Sequence, residues 1–348
     1  MKVLIIKTSS MGDIIHTLPA MTDAQRQIPG IQFDWVVEET FQEIPGWHES
    51  VNRIIPVAIR RWRKNLVKTW QSGEWKAFKK EIQKDQYDYV IDAQGLVKSA
   101  FLVRYCRTKQ SGQCYGLDKN SAREPFSTLF YKKKVSVPKG IHAVERIRIL
   151  FARILNYNID NLSLKYGIRN KFEQDKSKGN QLLFFHSTTW PTKHWPEKYW
   201  QKLIAETTEA GYHINLAWGN KEELERSKRL YSSAKIKEQV NILDKLSLSE
   251  IATQLRNTKA VVAVDTGLAH LAAAMDVPTI TLFGPTDPIL TGPKGKKQIH
   301  MMVDRECSPC LKKRCLKEPK SKIYPPCYKE IPPDLVWKKL KKLITKGK

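Results

Sequence analysis

The sequence predicts an α/β protein made of two Rossmann-like halves. Three observations carry that expectation. Short runs of β-branched and aromatic residues alternate with stretches of helical periodicity. The alternation breaks at a charged, low-order stretch, 169–181, and then restarts. The 348 residues suit two domains better than one, and a 41% share of hydrophobic residues fills two cores.

Taken in order, "KVLIIK" (2–7) reads as a buried parallel strand, and "IIHTLPAMTDAQRQI" (14–28) as the helix behind it. "QFDWVVEE" (32–39), "RIIPVAI" (53–59) and "YDYVIDA" (87–93) are further strands. The polar helical stretch "WQSGEWKAFKKEIQKDQ" precedes the last of these, and "GLVKSAFLVRYC", apolar at helical spacing, follows it. Past the break, the strands are "LLFFHS" (182–187), "YHINLAW" (212–218), "NIL" (241–243), "AVVAVD" (260–265) and "TITLFG" (279–284). The helices between them are "PEKYWQKLIAETTEAG", "KEELERSKRLYSSA", "LSEIATQLRN" and "GLAHLAAAMD". No internal repeat shows in the sequence itself. The basic end is amphipathic, with Leu335, Val336, Leu340, Leu343 and Ile344 on one face. It is expected to pack on one of the halves rather than lie on a membrane. The expected organisation is a first domain over 1–168, a linker over 169–181, a second domain over 182–332 and a C-terminal amphipathic helix over 333–348.

Sixty Lys and Arg against 35 Asp and Glu leave a net charge of +25. Such an excess calls for an anionic partner: nucleic acid, an acidic membrane face or a phosphorylated substrate. Trp62 and Trp70 interleave with the basic run "IRRWRKNLVK", a combination that suits nucleic acid, but no nucleic-acid-binding motif accompanies it. The opening residues fall far short of a secretory signal, and no run approaches the roughly 20 apolar residues of a spanning helix. The expected location is cytoplasmic, resting on a membrane surface, where the six cysteines are thiols or metal ligands rather than disulfides.

In open α/β sheets, ligands bind beyond the carboxyl ends of the strands. That rule selects loops 8–13, 93–98, 187–195, 218–223, 265–270 and 284–288. In the first, Gly12 lets a ligand approach the backbone, and Asp13 is either the N-cap of a helix starting at Ile14 or a reactive carboxylate. In "VDTGLAH" the Thr266 hydroxyl and the helix-start N–H groups form an anion cradle, with His270 one turn further on. In "HSTTWPTKHWPEKYW", Thr188 and Thr189 are hydroxyl donors and Lys193 is a cation able to neutralise a phosphate, or simply a surface lysine. Trp195 and Trp200 read as packing residues. Glu222 or Glu223 is placed to take ribose hydroxyls, or is an exposed helix start. Arg60, Arg61, Arg63 and Lys64 make either a solvated basic loop or a clamp for carboxylates and phosphates. No Asp-x-Asp pair occurs, so cations and a helix end would carry a diphosphate without a divalent metal. No G-x-G-x-x-G occurs either, which argues against a dehydrogenase.

The stretches "KTSSMGDIIHTLPA", "FDWVVEE", "PVAIRRWRK", "VIDAQGLVKSA", "AREPFSTLFY", "HAVER", "KHWPE", "VDTGLAHL" and "GPTDP" together resemble the lipopolysaccharide heptosyltransferase I branch of glycosyltransferase family 9. The resemblance runs from residue 1 to about 290. It implies a GT-B fold, two Rossmann-like domains whose parallel sheets face a central cleft. It implies inverting transfer of L-glycero-D-manno-heptose from ADP-L-glycero-β-D-manno-heptose to the first Kdo of Kdo2-lipid A, with no cofactor and no catalytic metal. On this resemblance Asp13 is the general base and Lys193 stabilises the departing diphosphate. Thr188, Thr189, Thr266, Gly267 and His270 line the phosphates, Asp265 shapes that loop and Glu223 holds the ribose. Arg60, Arg61, Arg63, Lys64 and Arg123 face the acidic acceptor. The partners implied are the donor, Kdo2-lipid A and the anionic inner leaflet of the inner membrane, with no nucleic acid. A heptosyltransferase II acting on a heptosylated acceptor is the nearest alternative, and a basic nucleic-acid-binding protein is the alternative of another class. One feature departs from the resemblance. Cys307, Cys310, Cys315 and Cys327, spaced C-x2-C-x4-C-x11-C, are either a structural zinc site or four unrelated thiols.

Overall fold

Strands apolar on both faces dictate parallel sheets covered by helices on each side, and each half of the chain builds one. The computed structural model describes residues 1–175, 179–318 and 321–345. The chain divides into two units, Met1–Lys171 and Phe172–Lys348. Residues 176–178 of the expected linker and 346–348 of the expected terminal helix lie outside the described residues.

The first unit runs β1 (Lys2–Ile6), α1 (Met11–Ile15), α2 (Leu18–Gln27), β2 (Gln32–Glu38), β3 (Val51–Val57), α3 (Ile59–Trp62), α4 (Leu66–Gln71), α5 (Glu74–Ile82), β4 (Gln86–Asp92), α6 (Val97–Val103), β5 (Arg107–Leu117), β6 (Lys133–Val135) and α7 (Ala143–Leu155). Its six strands lie in the order β3-β2-β1-β4-β5-β6. All the pairings are parallel. The single helix expected over 14–28 is two helices. The break falls at His16–Thr17, where Pro19 is the second residue of α2 and cannot donate to an earlier turn. The polar stretch after Trp70 is likewise cut by Gly73, at φ +73°, a left-handed value that glycine adopts without strain.

The second unit runs β7 (Gln181–Phe185), α8 (Glu197–Glu209), β8 (His213–Leu216), α9 (Lys221–Ser232), β9 (Val240–Ile242), α10 (Leu248–Arg256), β10 (Ala260–Val264), α11 (Gly267–Ala274), β11 (Thr279–Phe283), α12 (Pro288–Thr291), β12 (Gln298–Met302) and α13 (Pro333–Thr345). Its strand order is β12-β11-β10-β7-β8-β9. Read from its own first strand, this is the same doubly wound order as in the first unit. The repeat that the residues do not show is therefore present in the topology. Strand β10, "AVVAV", is buried along its whole length at the centre of this sheet. Val336 and Leu340 of α13 are fully buried in the same core, Leu335 stays 37% exposed, and α13 packs on α8. Trp195 and Trp200 are fully buried there, as packing residues should be, with Trp195 Nε1 donating to the Ile331 carbonyl at 3.0 Å.

Candidate functional site

In a doubly wound sheet, the strand order reverses between the first strand and the fourth, and the two loops that part there open a crevice. In each unit, a hydrogen bond from a threonine side chain links those two loops. In the first unit, the Thr8 hydroxyl and backbone N–H donate to Gln94 Oε1 at 2.9 and 2.8 Å, joining the loops after β1 and β4. In the second, the Thr188 hydroxyl donates to the Asp265 carbonyl at 3.0 Å, joining the loops after β7 and β10.

Asp13 stands in the first of these loops. Helix α1 begins at Met11, three residues before the sequence placed it, so Asp13 is the third helical residue and Ser10 is the cap. The Ser10 N–H and hydroxyl both donate to Asp13 Oδ2, at 2.8 and 2.7 Å. That capping box fixes the carboxylate while leaving the residue half-buried. Lys7 is 6% exposed and donates to the Ala93 carbonyl at 2.9 Å. Burial lowers its pKa, and the nearby carboxylates of Asp13 and Asp92 oppose that shift. Arg123 and Arg146 add positive potential at the same ammonium. Lys98 donates to Ser9 Oγ at 3.0 Å, beside the residue that holds Asp13. Burial lowers the pKa of Lys98, and Glu38 is the carboxylate that opposes this. Glu38, 1% exposed, accepts from the Arg60 N–H at 2.9 Å, and burial raises its pKa.

The basic run is less uniform than its composition implied. The Arg60 guanidinium lies over the Phe41 ring at 5.3 Å. Arg61 is ion-paired with Glu39 at 3.1 Å and Glu74 at 2.8 Å. Arg63 and Lys64 follow α3 as exposed residues, and Arg123 is exposed too.

In the second unit the polar groups converge on Asp265. Lys193 Nζ lies 2.6 Å from Asp265 Oδ2, and the same oxygen accepts from the Thr286 hydroxyl at 2.6 Å. Lys193 also lies 4.7 Å from the centre of the Trp190 ring. Its position is set from behind, where the fully buried Tyr328 donates its hydroxyl to the Lys193 carbonyl at 3.0 Å. Gly284 packs tightly there: a Cβ would stand 3.0 Å from that tyrosine ring and hydroxyl, so the ring would have to give by a few tenths of an ångström. Thr266 is the N-cap residue of α11, Gly267 is its first residue and His270, 7% exposed, its fourth. Thr189 is exposed. Glu223 stands in the first turn of α9, where its carboxylate accepts from the Gly219 N–H of the loop after β8 at 2.7 Å. Beneath the β7 loop, His186 bonds Ser227 at 2.9 Å and Ser187 at 2.8 Å, and burial depresses its pKa to about 3. His194 is depressed to about 4 by burial and then by Arg226, whose guanidinium lies 2.5 Å from its Nδ1.

Sequence reasoning missed Lys7, Lys98, Glu38 and Thr286. Lys7 carried a signal, a lysine ending an otherwise apolar strand. Thr286 sat in "FGPTDP", which alone is only a loop. Cys307, Cys310, Cys315 and Cys327, read as a structural zinc site or four unrelated thiols, come together in the fold. The four cysteines line one cavity of about 30 Å³, yet among the described residues no group of three or more His, Cys, Asp or Glu is arranged to hold a metal ion. Burial, with Cys315 and Cys310 nearby, pushes the Cys327 thiol up to about 11.

These features define a two-unit α/β protein with a carboxylate loop at one switch point and a lysine–carboxylate pair at the other. The profile of glycosyltransferase family 9 (heptosyltransferase) matches residues 75–321. The chain is 51% identical over 320 residues to lipopolysaccharide heptosyltransferase 1 of Pseudomonas aeruginosa, covering 92% of this chain and 88% of that one. It is 48% identical over 308 residues to the protein of that name from Escherichia coli K12, covering 88% and 95%. Among solved structures it is similar to E. coli heptosyltransferase WaaC with ADP-2-deoxy-2-fluoro heptose, with a TM-score of 0.84, 44% identity and coverage of 98% and 99%. The chain belongs to glycosyltransferase family 9, the heptosyltransferases, and has their GT-B fold.

Proposed function

We propose that the protein transfers L-glycero-D-manno-heptose from its ADP derivative to the first Kdo of Kdo2-lipid A, inverting the anomeric centre and using no divalent metal. The observation that carries this reading is the Lys193–Asp265–Thr286 group beside the start of α11, where the Thr266 side chain makes no cap hydrogen bond. A lysine held against one carboxylate at a helix start is receptive to a diphosphate, and a helix N-terminus adds partial positive charge. Similarity to proteins named heptosyltransferase 1, and to one solved with an ADP-heptose analogue, supports the donor.

In this reading, residues 1–168 serve the acceptor and 182–332 the donor. The acceptor hydroxyl attacks the anomeric carbon as the bond to the β-phosphate oxygen breaks, and Asp13 takes the hydroxyl proton. The charge left on ADP is met by Lys193, by the hydroxyls of Thr188, Thr189 and Thr266, and by the N–H groups that open α11 at Gly267, with His270 one turn behind. Asp265 orients Lys193, and Glu223 turns from Gly219 to the ribose. Arg60, Arg61, Arg63, Lys64 and Arg123 meet the carboxylates and phosphates of the acceptor, which competes with Glu39 and Glu74 for Arg61. The absence of an Asp-x-Asp pair supports metal independence. The net charge of +25 supports residence on the anionic cytoplasmic face of the inner membrane. Among the described residues no helix is long and apolar enough to cross a membrane.

The test is ADP release from ADP-heptose in EDTA, with and without O-deacylated Kdo2-lipid A. Acceptor-dependent release is expected. Release only with an acceptor that already carries one heptose would move the protein to second-heptose transfer, and release with neither would overturn the reading.

A further inference from the structure

We infer that an apolar groove in the first unit binds one acyl chain of an anionic amphiphile, and, resting on the acceptor reading above, that this chain belongs to the acceptor's own lipid. The groove encloses about 690 Å³, within the usual range of about 300–1,000 Å³ for small-ligand sites. Its walls come from α3, α4, α5 and α6, chiefly Ile59, Trp62, Trp70, Trp75, Phe101 and Leu102. Several of these are left in water: Trp70 is 79% exposed and Phe101 38%. A contiguous apolar surface of that kind marks a binding site. The rings brace one another, with Trp62 edge-on to Trp75 at 5.7 Å and Trp75 stacked on Phe101 at 6.4 Å, so the shape is preformed.

Three polar groups in the walls already have partners. Trp62 Nε1 donates to Glu74 at 2.7 Å, Thr69 donates to the Asn65 carbonyl at 2.9 Å, and Glu124 accepts from the Val97 N–H at 2.7 Å. A peptide laid in this groove would bury N–H and C=O groups with nothing to meet them. A hydrocarbon chain has no such groups. Two further lining residues, Arg63 and Lys98, are cationic and call for an anionic head. Lys98 also bonds Ser9, one residue from the Ser10 that holds Asp13, so the head of a chain in this groove is led toward the Asp13 loop.

The test uses the full-length protein and monomeric alkyl phosphates of six, ten and fourteen carbons below their aggregation limits, followed by tryptophan fluorescence and calorimetry. Affinity should rise with chain length, by at most about fourfold per methylene, and level off once the groove is full. Trp70→Ala should flatten that dependence without endangering the fold, since the side chain is largely in water. Phe101→Ala, checked for folding by circular dichroism, should do the same. Affinity independent of chain length, an unaltered dependence in Trp70→Ala, or binding to anionic vesicles but not to monomeric alkyl phosphates would each overturn the groove. The two readings fail separately. Heptose transfer to the deacylated acceptor with no chain-length effect removes the groove alone. A chain-length effect with no transfer to any Kdo acceptor keeps the groove as an amphiphile site and removes the acceptor assignment.

Discussion

Replacing Lys193 by alanine should lower kcat/KM for the donor by about a hundredfold to a thousandfold. Lys193 and Asp265 are 17% and 14% exposed, so an effective dielectric near 20 applies, and unit charges 4 Å apart then interact by about 4 kcal/mol. Discounting for the remaining solvent leaves about 3 kcal/mol, and each factor of ten takes about 1.4 kcal/mol. The substitution also strips Asp265 of its cation, leaving a carboxylate bonded by Thr286 where the proposed function seats the diphosphate. Part of the loss is therefore repulsion. The double variant Lys193→Ala with Asp265→Asn should recover about tenfold over Lys193→Ala alone. The assay is the initial rate of ADP release at subsaturating donor, with near-ultraviolet circular dichroism to show that the fold is kept. A Lys193→Ala enzyme within about threefold of the parent, or a double variant no faster than the single, would refute the argument.

Other outcomes follow from the same structure. Asp13→Ala should abolish turnover by about a thousandfold or more while costing about 1 kcal/mol of stability, the worth of a helix cap; retained turnover would return Asp13 to capping. Two buried histidines and a half-buried one make the fold acid-sensitive. His48, held between Thr22 and Ser50 in the first unit, is depressed to about 4, His186 to about 3 and His194 to about 4. A depressed histidine leaves the unfolded chain holding more protons below about pH 6.5, so stability is lost as pH falls through that value. Between pH 7 and 5 each should cost about 2 kcal/mol, with a larger total in the second unit, where burial also lowers the pKa of His300, than in the first, read from urea unfolding of each unit. Asp34 is fully buried and takes Arg53, Lys2, Tyr87 and Asn52, so Asp34→Ala should cost the first unit about 3–5 kcal/mol in the same measurement. Binding to anionic vesicles should weaken steeply between low and high salt; sedimentation that ignores salt would contradict a charge-driven association.

The sequence made the central strands plain. "KVLII", "AVVAV" and "TITLF" are apolar on both faces because helices cover both sides of the sheet, and no other element tolerates that pattern at such length. β5, β6 and β12 were not legible, although the edge strands β3 and β9 were. β5, "RTKQSGQCYGL", is polar over its first half and exposed there, and β6 and β12 lie at sheet edges where one flank meets no partner strand. Loop positions at the strand ends could be read from topology alone, which is why Asp13, Lys193 and Asp265 were singled out. The partners of those residues could not. Thr286 reaches Asp265 across 21 positions and Lys98 reaches Ser9 across 89, and no local pattern encodes either contact. Arg61 shows the reverse limit, since composition offered a free cation and the fold supplies it with two carboxylates.

Each unit is one unbroken span of chain, but the second closes its core with α13. During synthesis the first unit can therefore fold while the second is still being made, since domains fold as units. The second has to wait for residues 333–345, whose Val336 and Leu340 fill the space against α8. Until they arrive, the future core around Trp195, Trp200 and β10 is exposed to water and to other chains. A stop codon shortly before Pro333 would thus leave a first unit that is intact and a second that aggregates, and the defect would appear as loss of soluble protein before any loss of catalysis could be measured.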